Sequence, residues 1–218
     1  MEFDLFYNFG ESKVFKKTFF ITGSKNKGKL KVRDSGMPDA ILWASFFDVD
    51  LILAELQVGP DIYDLVEIGC GYGTFTIPSA TKISGKLHAF DIEEGMIEKV
   101  KQELKSRHIN NVMLEQRDVL IQSTGLADNS IDYVMLFNIL HNESPDDFLN
   151  EAYRILKPDG KLGILHWRSD IITPRGPDLT IRPTPDQILF WINKQKFRIY
   201  KPQIVLRPYH FGLILSKL

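Results

Sequence analysis

From about residue 64 onward, apolar positions along the chain follow two alternating rhythms. The short stretches Asp64–Ile68, Lys86–Phe90, Val112–Gln116, Ile131–Phe137 and Lys161–Trp167 have the length and the β-branched and aromatic content of strands. Between them, Thr74–Lys82, Gly95–Arg107 and Pro145–Leu156 carry apolar residues at three- and four-residue spacing, which predicts helices. Strands separated by helices imply crossover connections and a parallel sheet, the α/β class. Lys157-Pro158-Asp159-Gly160 predicts a turn into the fifth strand. The tail changes rhythm: Thr184–Lys194 predicts a helix, and Arg198–Leu206 and Tyr209–Ser216 predict two strands. Arg207-Pro208 is too short for a crossover, so this last pair is expected to be antiparallel.

Upstream, Pro38–Leu56 has helical spacing (Ile41, Leu42, Phe46, Val49, Ile52, Leu53, Leu56), with a break expected near Asp48-Val49-Asp50 and an end at Gly59-Pro60. Trp43, Phe46 and Phe47 suit a core-facing helix, with an aromatic lid as the sharper alternative. Residues 1–36 form a separate basic extension before a domain spanning 37–218. Between Lys13 and Arg33 stand eight basic residues and no acidic one. Val14-Phe15 and Thr18–Thr22 read as strand material, residues 23–28 as a turn, and Leu30 and Val32 alternate with basic residues, so a hairpin is expected. Its charges suit a solvated face, or contact with an anionic substrate or partner.

Composition narrows the function classes. The 218 residues are 44% hydrophobic and 25% charged, enough for one sizeable core. A single cysteine, Cys70, excludes an intramolecular disulfide and any multi-cysteine metal site, and no metal is expected. A net charge of −1 gives no overall basic surface for nucleic acid, which is not an expected partner. No apolar run approaches the roughly 20 residues of a membrane span, and the N-terminus lacks signal-peptide character. A cytoplasmic location is therefore expected.

The sharpest feature is Val66-Glu67-Ile68-Gly69-Cys70-Gly71-Tyr72-Gly73, an apolar strand running into three alternate glycines before a helix. Glycine there permits a tight turn and close approach of a ligand to the backbone, at the crevice where open α/β sheets bind ligands. A dinucleotide fingerprint needs a glycine where Thr74 stands, and no phosphate-loop lysine follows. The pattern is instead acid-x-Gly-x-Gly-x-Gly. Over roughly Asp64–Trp167 the sequence resembles the class I S-adenosylmethionine-dependent methyltransferases, within the broad group that includes ubiquinone- and menaquinone-biosynthesis enzymes. The resemblance implies a Rossmann-like, doubly wound, mostly parallel seven-stranded sheet with an antiparallel C-terminal hairpin. It also implies S-adenosylmethionine as cofactor.

By that resemblance Glu67, Gly69, Cys70, Gly71 and Gly73 surround the methionine portion of the cofactor. Asp91, ending the second strand, is an acceptor-only carboxylate suited to ribose hydroxyls, although it also suits a helix cap at Glu93. Ile92 is expected against the adenine. Asp118 is expected to accept from the adenine amino group, with Val119 beside it; alone, Asp118 also suits a turn. Asn138, ending the fourth strand, is expected to line the cofactor. His141 is the candidate general base, against the alternative that it caps the helix near Pro145 or packs structurally. Arg168, Arg175 and Arg182, in a loop at the same sheet edge, either meet an anionic acceptor or are solvated.

Methyl transfer from a sulfonium is an in-line displacement that mainly requires alignment and exclusion of water. Asn138-Ile139-Leu140-His141 is not the Asn/Asp-Pro-Pro-aromatic motif of base and amide methyltransferases, and one cysteine argues against RNA cytosine C5 and arsenite enzymes. A small-molecule acceptor is expected. The competing readings are a nicotinamide-dependent oxidoreductase and a non-catalytic module acting through its basic N-terminal segment.

Overall fold

A computed structural model describes residues 3–5, 17–19, 37–192 and 197–218. The chain divides into two compact units, Met1–Val32 and Arg33–Leu218. In the first, β1 (Phe3–Leu5) pairs antiparallel with β2 (Lys17–Phe19), Phe3 opposite Phe19. β2 falls in the first arm of the expected basic hairpin but pairs with residues upstream of it, and the expected turn and second arm lie outside the described residues.

The second unit is an α/β sandwich. Its sheet runs β5 (Val112–Gln116), β4 (Lys86–Asp91), β3 (Asp64–Ile68), β6 (Ile131–Phe137), β7 (Leu156–Trp167), β9 (His210–Lys217), β8 (Phe197–Leu206). The pairings from β5 to β7 are parallel, whereas β9 is antiparallel to both β7 and β8. This is the Rossmann-like arrangement with an antiparallel C-terminal pair. The order reverses beside β3, so a crevice opens at its carboxyl end.

Alternation along the strands divides the core between two faces. Leu65, Tyr133, Met135, Phe137, Leu165 and Trp167 pack towards α2 (Val49–Glu55), α3 (Thr76–Lys82) and α4 (Glu94–Ser106). Val66, Ile68, Val134, Leu136, Leu162 and Ile164 pack towards α6 (Pro145–Ile155) and α7 (Pro185–Trp191). In α6, Phe148, Leu149, Ala152 and Ile155 form the buried stripe; Pro145 opens the helix and Asp146 and Asp147 meet the positive end of its dipole. Burying each large aliphatic or aromatic side chain contributes about 1.5–3 kcal/mol.

The break expected near residue 48 has a clear cause. Asp39 caps α1 (Ala40–Ala44) by accepting from the amides of Ile41 and Leu42, and Asp48 caps α2 by accepting from Leu51 N–H. Two N-caps nine residues apart make two helices. One expectation needs correction: the fifth strand begins at Leu156, not after a turn at residues 157–160. Leu156 already pairs with Ile131, and the irregularity is absorbed as a register shift with Asp159 in the left-handed region at φ 61°.

Candidate functional site

The chain leaves β3 at Ile68 and turns through the three glycines before α3. Gly69, Gly71 and Gly73 have φ of 81°, 51° and 76°, backbone that side chains rarely adopt. Space is short as well: a β-carbon on Gly69 would lie 3.0 Å from Ile139 Cδ1, and one on Gly71 would lie 3.1 Å from Met37 Cε. At Gly73 the near neighbour is Val100 Cγ2 on α4, at 3.1 Å, so this glycine serves helix packing.

The loop is tied to the end of β4. Gly69 and Cys70 both donate to Phe90 O, at 2.8 and 3.0 Å, and Gly71 N–H donates to Asp91 Oδ2 at 2.8 Å. Asp91 Oδ1 accepts from Glu93 N–H at 3.0 Å, so the capping role and the loop contact coexist. A carboxylate offers about four acceptor positions, and two amides leave room for two hydroxyl donors.

Beneath the loop the electrostatics are unusual. Glu67 is 2% exposed and accepts from the Thr76 hydroxyl at 2.5 Å. Burial, and then the neighbouring Asp91, push its carboxyl from 4.5 up to about 8, against the opposing Thr76 bond. Burial also raises the pKa of Asp91, although its amide hydrogen bonds work the other way. The Cys70 thiol is pushed up by burial and by both acids. A cradle that resists holding two negative charges welcomes a cation and repels a pyrophosphate.

The remaining expected residues follow the ends of neighbouring strands. Asp91 pairs with Gln116 across β4 and β5, and Gln116 Nε2 donates to Ile92 O at 3.1 Å. Asp118 caps α5 (Val119–Gln122) by accepting from Leu120 N–H, so its turn role is real. Val119 is buried, and Ile92 is 38% exposed at the crevice. Asn138 ends β6 in left-handed backbone (φ 55°), with its N–H donating to Leu165 O at 2.7 Å. Its buried Oδ1 finds no hydrogen-bond partner among the described residues. These features suit S-adenosylmethionine: positive-φ glycines, a carboxylate with acceptor positions to spare, acids whose pKa is raised, and a buried amide oxygen without a partner among the described residues.

His141 does not cap α6; Ser144 occupies that position without a side-chain bond. Its ring instead lies 5.5 Å from that of His166. Arg182 corrects a second expectation, because it is not solvated. It is 7% exposed, and it donates to the carbonyls of Pro177 (2.8 Å), Arg168 (2.8 Å) and Arg175 (3.2 Å), clasping the loop after β7. Arg168 pairs with Asp170 at the surface.

The sequence reading also missed an aromatic cluster at this edge. Phe47 stacks on His210 (4.6 Å between ring centroids), Trp167 lies 4.2 Å from His210, and Phe75 joins Phe47 to Phe137 at the end of β6. The register Trp167 opposite His210 creates the cluster, and no local pattern announces that register.

The strand order and glycine loop resemble those of the class I, S-adenosylmethionine-dependent methyltransferase architecture. Residues 65–160 match the model of the methyltransferase domain family. It is 31% identical over 104 residues to the demethylmenaquinone methyltransferase of Lactobacillus johnsonii, covering 46% of this chain and 42% of that protein. The chain thus spans less than half the length of that relative. Among solved structures, the SAM-dependent methyltransferase from Aquifex aeolicus shares the fold, with a TM-score of 0.72 at 20% identity, covering 83% of this chain and 94% of that one. A putative type 11 methyltransferase from Sulfolobus solfataricus aligns with a TM-score of 0.60 at 26% identity, covering 77% and 90%. Among the described residues no helix is long and apolar enough to cross a membrane.

Proposed function

We propose that the chain transfers a methyl group from S-adenosylmethionine to a small-molecule acceptor. The observation that carries this reading is the positive-φ glycine loop, fastened by Gly71 N–H to the half-buried Asp91 at the end of β4 and preceded by the buried Glu67. The donor supplies a methyl group already activated on a sulfonium. The protein's part is to bind, orient and exclude water.

In this reading Asp91 accepts from the ribose hydroxyls while keeping its bonds to Gly71 and Glu93. A cation held above the loop favours the ionised form of Glu67, so that the carboxyl gives up its proton on binding and offsets the cofactor's positive charge, where Gly69, Cys70, Gly71 and Gly73 give the backbone close approach. Ile92, Asp118 and Val119 hold the adenine end. Asn138 Oδ1 takes a donor from the methionine end. His141, after Asn138 on the same loop, is positioned to receive a proton from an acceptor hydroxyl or thiol. Demethylmenaquinone, for which the Lactobacillus relative is named, is the first acceptor to assay. The acceptor class, a cytoplasmic location and the lack of a nucleic-acid partner belong to this proposal.

Calorimetric titration with S-adenosylhomocysteine, and separately with NAD, tests it. Binding of the homocysteine product without NAD binding is expected. Tight NAD binding with no response to S-adenosylhomocysteine would overturn the reading.

A further inference from the structure

His210 is the least satisfied polar group in the chain's described core. It is fully buried, and neither ring nitrogen has a hydrogen-bond partner among the described residues. A neutral imidazole always carries one N–H donor and one lone-pair acceptor, and leaving both buried and unpaired is costly. Its nearest described neighbours are aromatic rings. Phe47 stacks on one side of the imidazole, Trp167 lies 4.2 Å away, and Phe46 and Tyr209 flank Trp167 at 5.7 and 6.2 Å. Burial, then the Arg182 charge, holds the imidazole down near a pKa of about 3. In the neutral form it offers one donor and one acceptor, and neither is used among the described residues.

The position matters as much as the isolation. The same cluster reaches the cofactor crevice through Phe75, which follows the glycine loop, and Phe137, which precedes Asn138. Its outer cover is thin. α1 buries none of its residues, and Ile41 is 86% exposed. That cover is also fastened to the glycine loop, because the Tyr72 hydroxyl donates to Pro38 O at 2.9 Å. Residues 37–47 thus overlie both the crevice and the histidine.

We propose that His210 is the polar floor of the methyl-acceptor pocket, hydrogen-bonding the hydroxyl of a planar aromatic acceptor held among Phe47, Trp167 and Tyr209. The inference rests on the methyl-transfer reading above and adds the acceptor's chemistry to it. Aromatic faces bind a planar ring, and an otherwise unpaired imidazole selects a ring bearing a hydroxyl over one that lacks it. The segment at residues 37–47 must move outward to admit it.

Phenol and toluene, which match in ring and size but differ in hydroxyl against methyl, are the probes. The full chain is saturated with S-adenosylhomocysteine, and binding is read from tryptophan fluorescence. Both probes are expected to bind the wild type. His210→Phe is expected to shift the affinity ratio roughly tenfold or more towards toluene, whereas His210→Gln, which keeps a donor and an acceptor, retains most of the wild-type ratio. An unchanged ratio in His210→Phe, or no binding of either probe to the wild type, overturns the assignment. Should His210→Phe fail to fold, nitrogen-15 spectra of the wild-type imidazoles decide instead. A His210 ring nitrogen should shift with phenol and not with toluene, and the absence of such a shift overturns the assignment. Failure of the wild type to bind S-adenosylhomocysteine sinks the methyl-transfer reading itself, and is thereby distinguished from failure at His210 alone.

Discussion

Glu67→Gln tests the electrostatics on which the cofactor reading depends. The amide copies the protonated acid in shape and keeps an acceptor for the Thr76 hydroxyl. In the fold the Glu67 carboxyl titrates near pH 8, against 4.5 when unperturbed. Below pH 4.5 the folded and unfolded chains both hold the proton. Between 4.5 and 8 only the folded chain holds it, so stability falls by about 1.4 kcal/mol for each unit of rising pH. Above pH 8 both states are ionised and the slope vanishes. From pH 6 to pH 8 this single group therefore costs the wild type about 2 kcal/mol, whereas the uncharged amide of the variant costs nothing. Urea unfolding of both proteins at the two pH values isolates the difference, because every other titrating group cancels. The gap should widen by about 2 kcal/mol in favour of the variant, or roughly 4–8 °C in Tm. Thr76→Val should move the wild-type window upward, since the hydroxyl is what lowers the pKa. Parallel pH profiles for wild type and Glu67→Gln would refute the buried, protonated acid. The argument for a cationic ligand above it would go with them. The stabilised variant should bind S-adenosylmethionine more weakly, a trade of function for stability.

Asp91→Ala should weaken S-adenosylhomocysteine binding by about 2–3 kcal/mol in calorimetry, because a charged acceptor is lost and the Gly71 and Glu93 amides lose their partner; full affinity would reject the ribose assignment. Gly163→Ala would drive a methyl group into the Tyr133 hydroxyl, which donates to Leu56 O at 2.6 Å. The expected loss is about 2–4 kcal/mol of stability in urea, with cofactor affinity of the folded protein unchanged. Arg182→Lys should not substitute for arginine, since an ammonium cannot spread across three carbonyls as the guanidinium does. Limited proteolysis should then cut between residues 168 and 182 several times faster than in the wild type, and an unchanged rate would deny Arg182 its clasping role.

What the sequence discloses and what it withholds divide along a physical line. β3 and β6 keep their predicted bounds, because buried parallel strands read as near-continuous apolar runs and each needs only local information. The glycine loop was legible for the same reason: three positions that demand left-handed backbone within five residues have few other uses. Arg182 and His210 were opaque for different reasons, the first because an irregular loop wraps it and the second because distant segments surround it. Three carbonyls around Arg182 come from a loop with no periodicity, and nothing in Ile-Arg-Pro distinguishes a clasp from a solvated charge. His210 acquires its aromatic walls from β7 and from the turn after α1, residues separated from it by some 40 and 160 positions. The half of the site proposed to meet the cofactor is thus written locally, in one strand-turn-helix unit and the strand ends beside it. The half that would choose an acceptor is assembled by long-range packing. That division explains why a motif names the reaction class while the acceptor has to be argued from side chains that only the fold brings together.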